Sequence, residues 1–292
     1  MAYNAQKARE FYDVRAQKEW DRLDSDACGR LMCVAHLHAI QDVVSPDARV
    51  LELGAGAGRF SVELARLTPR LSVTDISPSQ LEFNRRKMTE LGLGERVECF
   101  AEADICDLSQ FQDESFDAVV CIGGALNYVF EKETQAMGEM LRVLAPAGVL
   151  LLGVMSLRGV MRWAMGGLVS DYRRGGLPIV DWLLRTGQQD EEHYAPPNRH
   201  YVHMMREEDV RRLCRQAKAK VAKTWCGGFL AHSDAQALQN VAATPELWNR
   251  IVEAELELCQ CPGLLEAGTH MLFAIRKQNK RKQESPQKGE NE

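Results

Sequence analysis

The sequence predicts an α/β protein built on a parallel sheet with helices on both faces, and three features of the chain predict it. Between residues 50 and 154, short apolar runs alternate with helix-forming stretches: Val50–Leu53, Ser61–Leu67, Leu71–Thr74, Ser79–Leu91, Val97–Glu102, Ala118–Ile122, Thr134–Leu144 and Val149–Val154. Strands that alternate with helices pair in parallel, because each crossover helix returns the chain to the starting edge and covers a face. The first run opens into a glycine-rich turn, RVLELGAGAGRF, from Arg49 to Phe60. Alternate glycines accept unusual φ and let backbone touch a ligand where a Cβ would collide, while the next helix aims its N-terminal amides there. Finally, Asp75, Asp104 and Gly123–Asn127 close later strands. In open sheets of this kind ligands bind at the carboxyl ends of the strands, near the point where strand order reverses.

Asp75 follows the turn by about 20 residues, the distance at which an acidic residue reaches a ribose diol. Two other nucleotide-binding patterns fail on the same residues. A nicotinamide-binding turn reads G-x-G-x-x-G, but the sixth position from Gly54 is Arg59. A phosphate-binding P-loop needs Gly-Lys-Ser/Thr after four spacers, and the chain has no such run.

Taken in order, the pieces resemble the class I S-adenosylmethionine-dependent methyltransferases. ELGAGAG (Glu52–Gly58) stands at the family's glycine motif, VTD ends strand 2 at Asp75, EADI carries Asp104 and FDAVVCIGG (Phe116–Gly124) forms strand 4. LRVLAPAGVLLLGV (Leu141–Val154) follows as helix, turn and strand 5. The resemblance is close over Asp47–Ser156 and runs only in outline beyond it. It implies a Rossmann-like, doubly wound, mostly parallel seven-stranded sheet, with insertions after strand 5 and between strands 6 and 7. The organisation expected is a helical cap (1–46), a cofactor-binding core (47–156), a substrate-covering insertion (157–205), the end of the sheet with a helical insertion (206–276) and a disordered tail (277–292).

The composition is that of an ordinary globular protein, 45% hydrophobic and 26% charged over 292 residues. A net charge of −5 disfavours a nucleic-acid partner, which selects a basic surface. Nine cysteines, an odd number with several in core strands, read as buried free thiols in a reducing compartment. Cys259-Gln260-Cys261 lacks the second pair that would complete a zinc site, so no metal is expected. No stretch approaches the roughly 18 apolar residues of a membrane span, and the N-terminus is polar. The expected setting is cytoplasmic, with no membrane partner and a homodimer left open.

Before the core, Phe11, Val14, Lys18 and Leu23 lie near helical spacing, and Leu31, Val34, Ala35, Leu37 and Ile40 form a second apolar face. Helices so placed cap the cofactor cleft in this family, which makes Tyr12 and Trp20 either ligand contacts or packing residues. After Leu157 the alternation breaks at Gly166-Gly167, Gly175-Gly176, Pro178 and Pro196-Pro197, among Trp163, Trp182, Tyr172 and Tyr194 and several arginines. Two readings stay open there: a wall for an aromatic or carboxylate-bearing molecule, or a surface helical pair with a solvated charged face. Further on, Arg206–Ala217 predicts a helix, Lys220–Cys226 and Thr269–Arg276 strands, and Ser233–Leu258 a helical segment between them.

By the resemblance, Glu52, Gly54, Ala55, Gly56 and Gly58 surround the methionine end and sugar of S-adenosylmethionine. Asp75 would accept from the ribose hydroxyls and Asp104 from the adenine amine, with Ile76 and Ile105 flanking the ring. Ile122 and Gly123 would face the methionine amino group. The acceptor is not named by any motif. If it is a hydroxyl, a base should take its proton, most naturally a histidine. His193, His200, His203, His232 and His270 all follow the core; His200 and His203, in NRHYVHMM, are favoured because the insertion returns to the sheet there. Asn127 and Tyr128 are placed to line the transfer site. The function expected is O- or N-methylation of a small molecule, in natural-product or secondary metabolism. A protein or RNA substrate, and a non-catalytic regulatory protein that binds the cofactor, stand as alternatives.

Overall fold

The computed structural model describes residues 2–194 and 201–278. Three helices come first, α1 (Ala5–Asp13), α2 (Ala16–Arg22) and α3 (Ala27–Val43). The alternating region follows as β1 (Val50–Leu53), α4 (Arg59–Leu67), β2 (Leu71–Asp75), α5 (Pro78–Glu90), β3 (Val97–Glu102), β4 (Phe116–Cys121), α6 (Glu133–Val143) and β5 (Leu144–Met155). Next come α7 (Leu157–Trp163), α8 (Met165–Thr186) and two short strands, β6 (Gln188–Gln189) and β7 (Val202–His203). The remainder is α9 (Glu207–Gln216), β8 (Ala219–Gly227), α10 (Ala235–Ala242), α11 (Pro245–Leu258) and β9 (His270–Lys277).

Seven strands form one sheet in the order β3-β2-β1-β4-β5-β9-β8. The first five are parallel, and β9 runs antiparallel to both β5 and β8. This is the mostly parallel, doubly wound sheet that the alternation predicts. Every residue of β1 and β2 is buried, as strands covered on both faces require. Successive residues supply two separate cores, because side chains on a strand alternate between faces. Leu51, Leu53 and Val119 pack with Met137 and Met140 of α6 and Leu213 of α9. Val50, Val120 and Leu151 pack with Ile40 of α3, Leu64 of α4 and Met88 of α5.

Strand order reverses between β1 and β4, so a crevice opens at their carboxyl ends. The start of α5 fixes one side of it. Ser77 caps the helix by accepting from the Gln80 amide, and Pro78 occupies the first turn, as the sequence predicts. The α1 segment is tied to that same end. The Ser77 hydroxyl donates to Asp13, Gln80 Nε2 donates to the Tyr12 carbonyl at 2.8 Å, and Arg9 Nε donates to the Ile76 carbonyl at 3.0 Å.

Two local expectations change and one open reading resolves to packing. Helix α1 stops at Asp13, so Val14 falls outside it and is 84% exposed rather than part of an apolar face. Trp20 packs against Phe83 of α5, with ring centroids 6.1 Å apart. Lys277, expected to begin a tail, is the last residue of β9, and residues 279–292 lie outside those described. All nine cysteines are free thiols.

Leu51 is fully buried in β1, directly below the glycine turn. Leu51→Ala is expected to destabilise the protein by about 2–5 kcal/mol, since it deletes side-chain volume between a strand and a helix that cannot collapse freely. Urea unfolding at fixed pH measures it, with the denaturant slope unchanged.

Candidate active site

The crevice widens into a cavity of ≈ 1040 Å³. Gly54–Gly58, Asp75, Ile76, Asp104, Ile105, Ile122 and Gly123 line one end. Met32, Phe60, Met155, Val160, Trp163, His232, Thr269 and His270 line the other. Tyr3, Tyr12 and Arg15 line it from the N-terminal segment, and Tyr128 and Tyr201 also line it. Thus most residues expected around a cofactor do share one end of one cavity.

Two glycines explain the shape of that end. Gly58 has φ +97°, and a Cβ there would lie 2.4 Å from Asn84 Oδ1, so only glycine lets the turn close onto α5. Gly123 has φ +89°, and a Cβ there would meet nothing within 4 Å, so its backbone is bare toward the cavity.

Asp75, at the end of β2, organises the rest. Its Oδ2 accepts the Gly56 N–H at 2.8 Å and its Oδ1 accepts the Ser77 N–H at 2.8 Å. A carboxylate has about four acceptor sites, so capacity remains for ligand hydroxyls. Burial pushes its pKa up to about 6, against the opposing pull of the Ser77, Gly56 and Ile76 amides. At the end of β3, Asp104 accepts the Cys106 N–H at 2.8 Å and the Tyr3 hydroxyl at 2.9 Å. Sequence reasoning missed Tyr3, which precedes α1 and carries no local signal of that contact.

Tyr12 and Tyr128 stack edge to face, with centroids 5.7 Å apart and their hydroxyls hydrogen-bonded to each other. Burial pushes Tyr128 up to about 12 and raises Tyr12 well above its ordinary value, so neither ionises near neutral pH.

Several expected site residues lie elsewhere. Glu52 is buried beneath the turn and does not line the cavity; the Ser61 hydroxyl donates to its Oε2 at 2.6 Å. Burial pushes the carboxyl up to about 8, with nearby Asp75 adding to the rise, so near neutral pH it is a protonated prop. Asn127 is a clamp rather than a lining residue: its Nδ2 donates to the His203 carbonyl at 2.6 Å, and its Oδ1 accepts the Met155 N–H at 2.9 Å. His203 does not face the cavity either, because Glu133 at the start of α6 captures its Nδ1. His200 lies outside the described residues. Among the described residues, the histidines that line the cavity are His232 and His270. Among the described residues, no group of three or more His, Cys, Asp or Glu is placed to hold a metal ion.

Glu52 gives a test with a definite sign. Its carboxyl holds a proton up to about 8 in the folded protein but only to about 4.5 when unfolded, so folded stability falls as pH rises between those values. Glu52→Gln keeps an acceptor for Ser61 and removes that dependence. The variant should therefore melt progressively higher than wild type as pH rises through 8, and not in acid, by scanning fluorimetry. Parallel profiles for the two proteins would show that Glu52 does not titrate in this way.

Residues 50–148 match the family described as "Methyltransferase domain". A demethylmenaquinone methyltransferase of Deinococcus radiodurans is 36% identical over 116 residues, which is 39% of this chain and 46% of that protein. The chain spans about half the length of the curated relatives it matches. Among solved structures, the cyclase SpnF superposes with a TM-score of 0.58, over 94% of this chain and 97% of that one, at 17% identity. An S-adenosylmethionine-dependent methyltransferase from Mesorhizobium loti superposes with a TM-score of 0.52, over 87% of this chain and all of that one, at 16% identity. Both are likenesses of fold. Residues 50–148, the stretch that matches the methyltransferase domain, are also the stretch that builds the turn and its acidic flank, in keeping with the resemblance to class I S-adenosylmethionine-dependent methyltransferases.

Proposed function

We propose that the protein transfers a methyl group from S-adenosylmethionine to a small molecule, by O- or N-methylation and without a metal. One observation carries the reading: a single cavity runs from the glycine turn to an apolar wall, under the N-terminal segment. At ≈ 1040 Å³ it exceeds the usual space for one drug-sized ligand, about 300–1,000 Å³, and so suits two ligands at once. A protein or RNA chain would call for an open groove instead. The name of the Deinococcus relative, with its small-molecule acceptor, agrees.

The residues present fit the cofactor. Asp75 keeps acceptor capacity for the ribose hydroxyls, and the bare backbone at Gly123 suits the methionine amino group. Asp104, between Ile76 and Ile105, offers an acceptor for the adenine amine. When bound, the cofactor supplies a methyl group on a positively charged sulfur. The protein's share is alignment and the exclusion of water. Tyr12 and Tyr128 line the same cavity, and Val160 and Trp163 of α7 would face the acceptor at its other end.

Calorimetric titration with S-adenosylmethionine, S-adenosylhomocysteine and NADH tests the reading. Both sulfur ligands should bind and NADH should not, and Asp75→Ala should weaken the sulfur ligands about 100-fold, since it removes hydrogen bonds to a charged acceptor. Ionised Asp75 accepts the hydroxyls, so affinity should fall as pH drops through about 6. Release of S-adenosylhomocysteine across phenols, catechols and amines then reads turnover. Binding of NADH, or of neither sulfur ligand, would overturn the reading.

A further inference from the structure

Three imidazoles meet at the end of the cavity away from the glycine turn. His36 of α3 and His270 of β9 meet edge to face, with centroids 5.3 Å apart. His232, between β8 and α10, lies 4.8 Å from the Trp163 ring. His232 and His270 line the cavity, whereas His36 is buried behind them and stacks on Phe60 at 5.5 Å.

Their partners assign the ring protons. His36 Nδ1 lies 2.9 Å from the Met32 carbonyl, which can only accept, so that nitrogen carries the proton. His232 donates to the Gly228 carbonyl, and Nδ1 is its nitrogen on that side, 3.3 Å from where a Cβ of Gly228 would stand. The proton on Nδ1 leaves Nε2 of His232 as a bare lone pair on a ring that faces the cavity. Thr269 Oγ1 lies 3.2 Å from His232 Nδ1 and 3.4 Å from His270 Nδ1. The hydroxyl also lies 4.0 Å from Met32 Sδ; accepting from the first ring, it can share its single hydrogen between that sulfur and the second, which puts the His270 proton on Nε2. The two lining rings thereby carry one acceptor nitrogen, on His232, and one donor nitrogen, on His270.

The surroundings keep these rings neutral. Burial lowers the His232 pKa most; Arg162 of α7 and Arg22 of α2 lower it further, while the Gly228 carbonyl and Asp26, before α3, oppose them. Burial, His36, Arg22 and His232 together hold His270 well below the ordinary value, and burial brings His36 down to about 4. The loop that carries His232 is pinned by Glu255, fully buried in α11, which accepts the Phe229 N–H at 2.9 Å and the Leu230 N–H at 2.8 Å. Among the described residues, His203 is committed to Glu133, His193 to Asp190, and Tyr12 and Tyr128 to each other.

We propose that His232 is the catalytic base of the methyl transfer and His270 the donor that orients its acceptor. The acceptor's O–H proton passes to His232 Nε2 as its oxygen lone pair bonds the methyl carbon and the C–S electron pair stays on sulfur. His270 Nε2–H donates to a second oxygen of the same molecule. A paired acceptor and donor selects an acidic hydroxyl beside another oxygen, as in a catechol, an ortho-acyl phenol or the enol of a 1,3-dicarbonyl.

The inference rests on the methyl-transfer reading, and its test separates the two. In protein saturated with S-adenosylhomocysteine, long-range 1H–15N spectra should show His232 neutral near neutral pH with its proton on Nδ1. The bound probe 4-nitrocatechol should absorb as the catecholate, an effect absent in His232→Asn. A proton on Nε2, or an imidazole still charged near neutral pH, would overturn the assignment whether or not any acceptor is methylated. With an acceptor in hand, His232→Asn and His232→Gln should each lower kcat about 100-fold or more and remove the acid limb of the kcat/KM profile. S-adenosylhomocysteine affinity should stay unchanged in both, as evidence of folding. Full activity with the acid limb intact would refute the role of His232 while leaving methyl transfer standing. Failure of every acceptor counts against the function instead, and the spectra then decide the imidazole.

Discussion

The site depends on one carboxylate. Asp75 accepts from Gly56 of the glycine turn and from Ser77 at the start of α5, so β2, the turn and a helix terminus meet on two oxygens. Ser77 in turn caps α5 and donates to Asp13 of α1. The same small network therefore shapes the floor of the cavity and anchors the helix that carries Tyr12 over it. Backbone amides, rather than cationic side chains, hold this charge, and what burial costs the carboxylate they return in part.

Several polar groups at and beneath the cavity are held in uncharged forms. Glu52 carries a proton under the turn, the two tyrosines share theirs, and the imidazoles of the far end are depleted of charge by burial and by nearby arginines. In such surroundings hydrogen bonds act at low dielectric, where they are stronger and where an unpaired group is costly.

What the sequence made legible followed local pattern. Alternating apolar runs, the turn from Gly54 to Gly58, and the acidic ends of β2 and β3 all signal within a few residues of themselves. Glu52 was misplaced because adjacency to the turn suggested contact, although its strand position sets it beside Val50, on the face turned toward α4. His203 and Asn127 lie close to the cavity in sequence terms, but Glu133 and the β5 backbone claim them, and no spacing rule reveals a captor that distant. His232 and His270 come together only because β8 and β9 pair at their cavity ends, and Tyr3 meets Asp104 across about a hundred residues.

The N-terminal roof has a kinetic consequence. Neither α1 nor α2 contains a fully buried residue, and α1 is held mainly by polar ties, from Tyr3 to Asp104, Arg9 to Ile76 and Gln80 to Tyr12. Segments with little buried apolar contact open at far lower free energy than the sheet beneath them. Two of those ties end on the strand-end residues that flank the cofactor end of the cavity, so a ligand seated there and the roof above it share a fastening. On the proposed function, departure of a spent ligand would be coupled to fraying of the first dozen residues, and the slowest step of a catalytic cycle would fall in that unlatching as readily as in the chemistry.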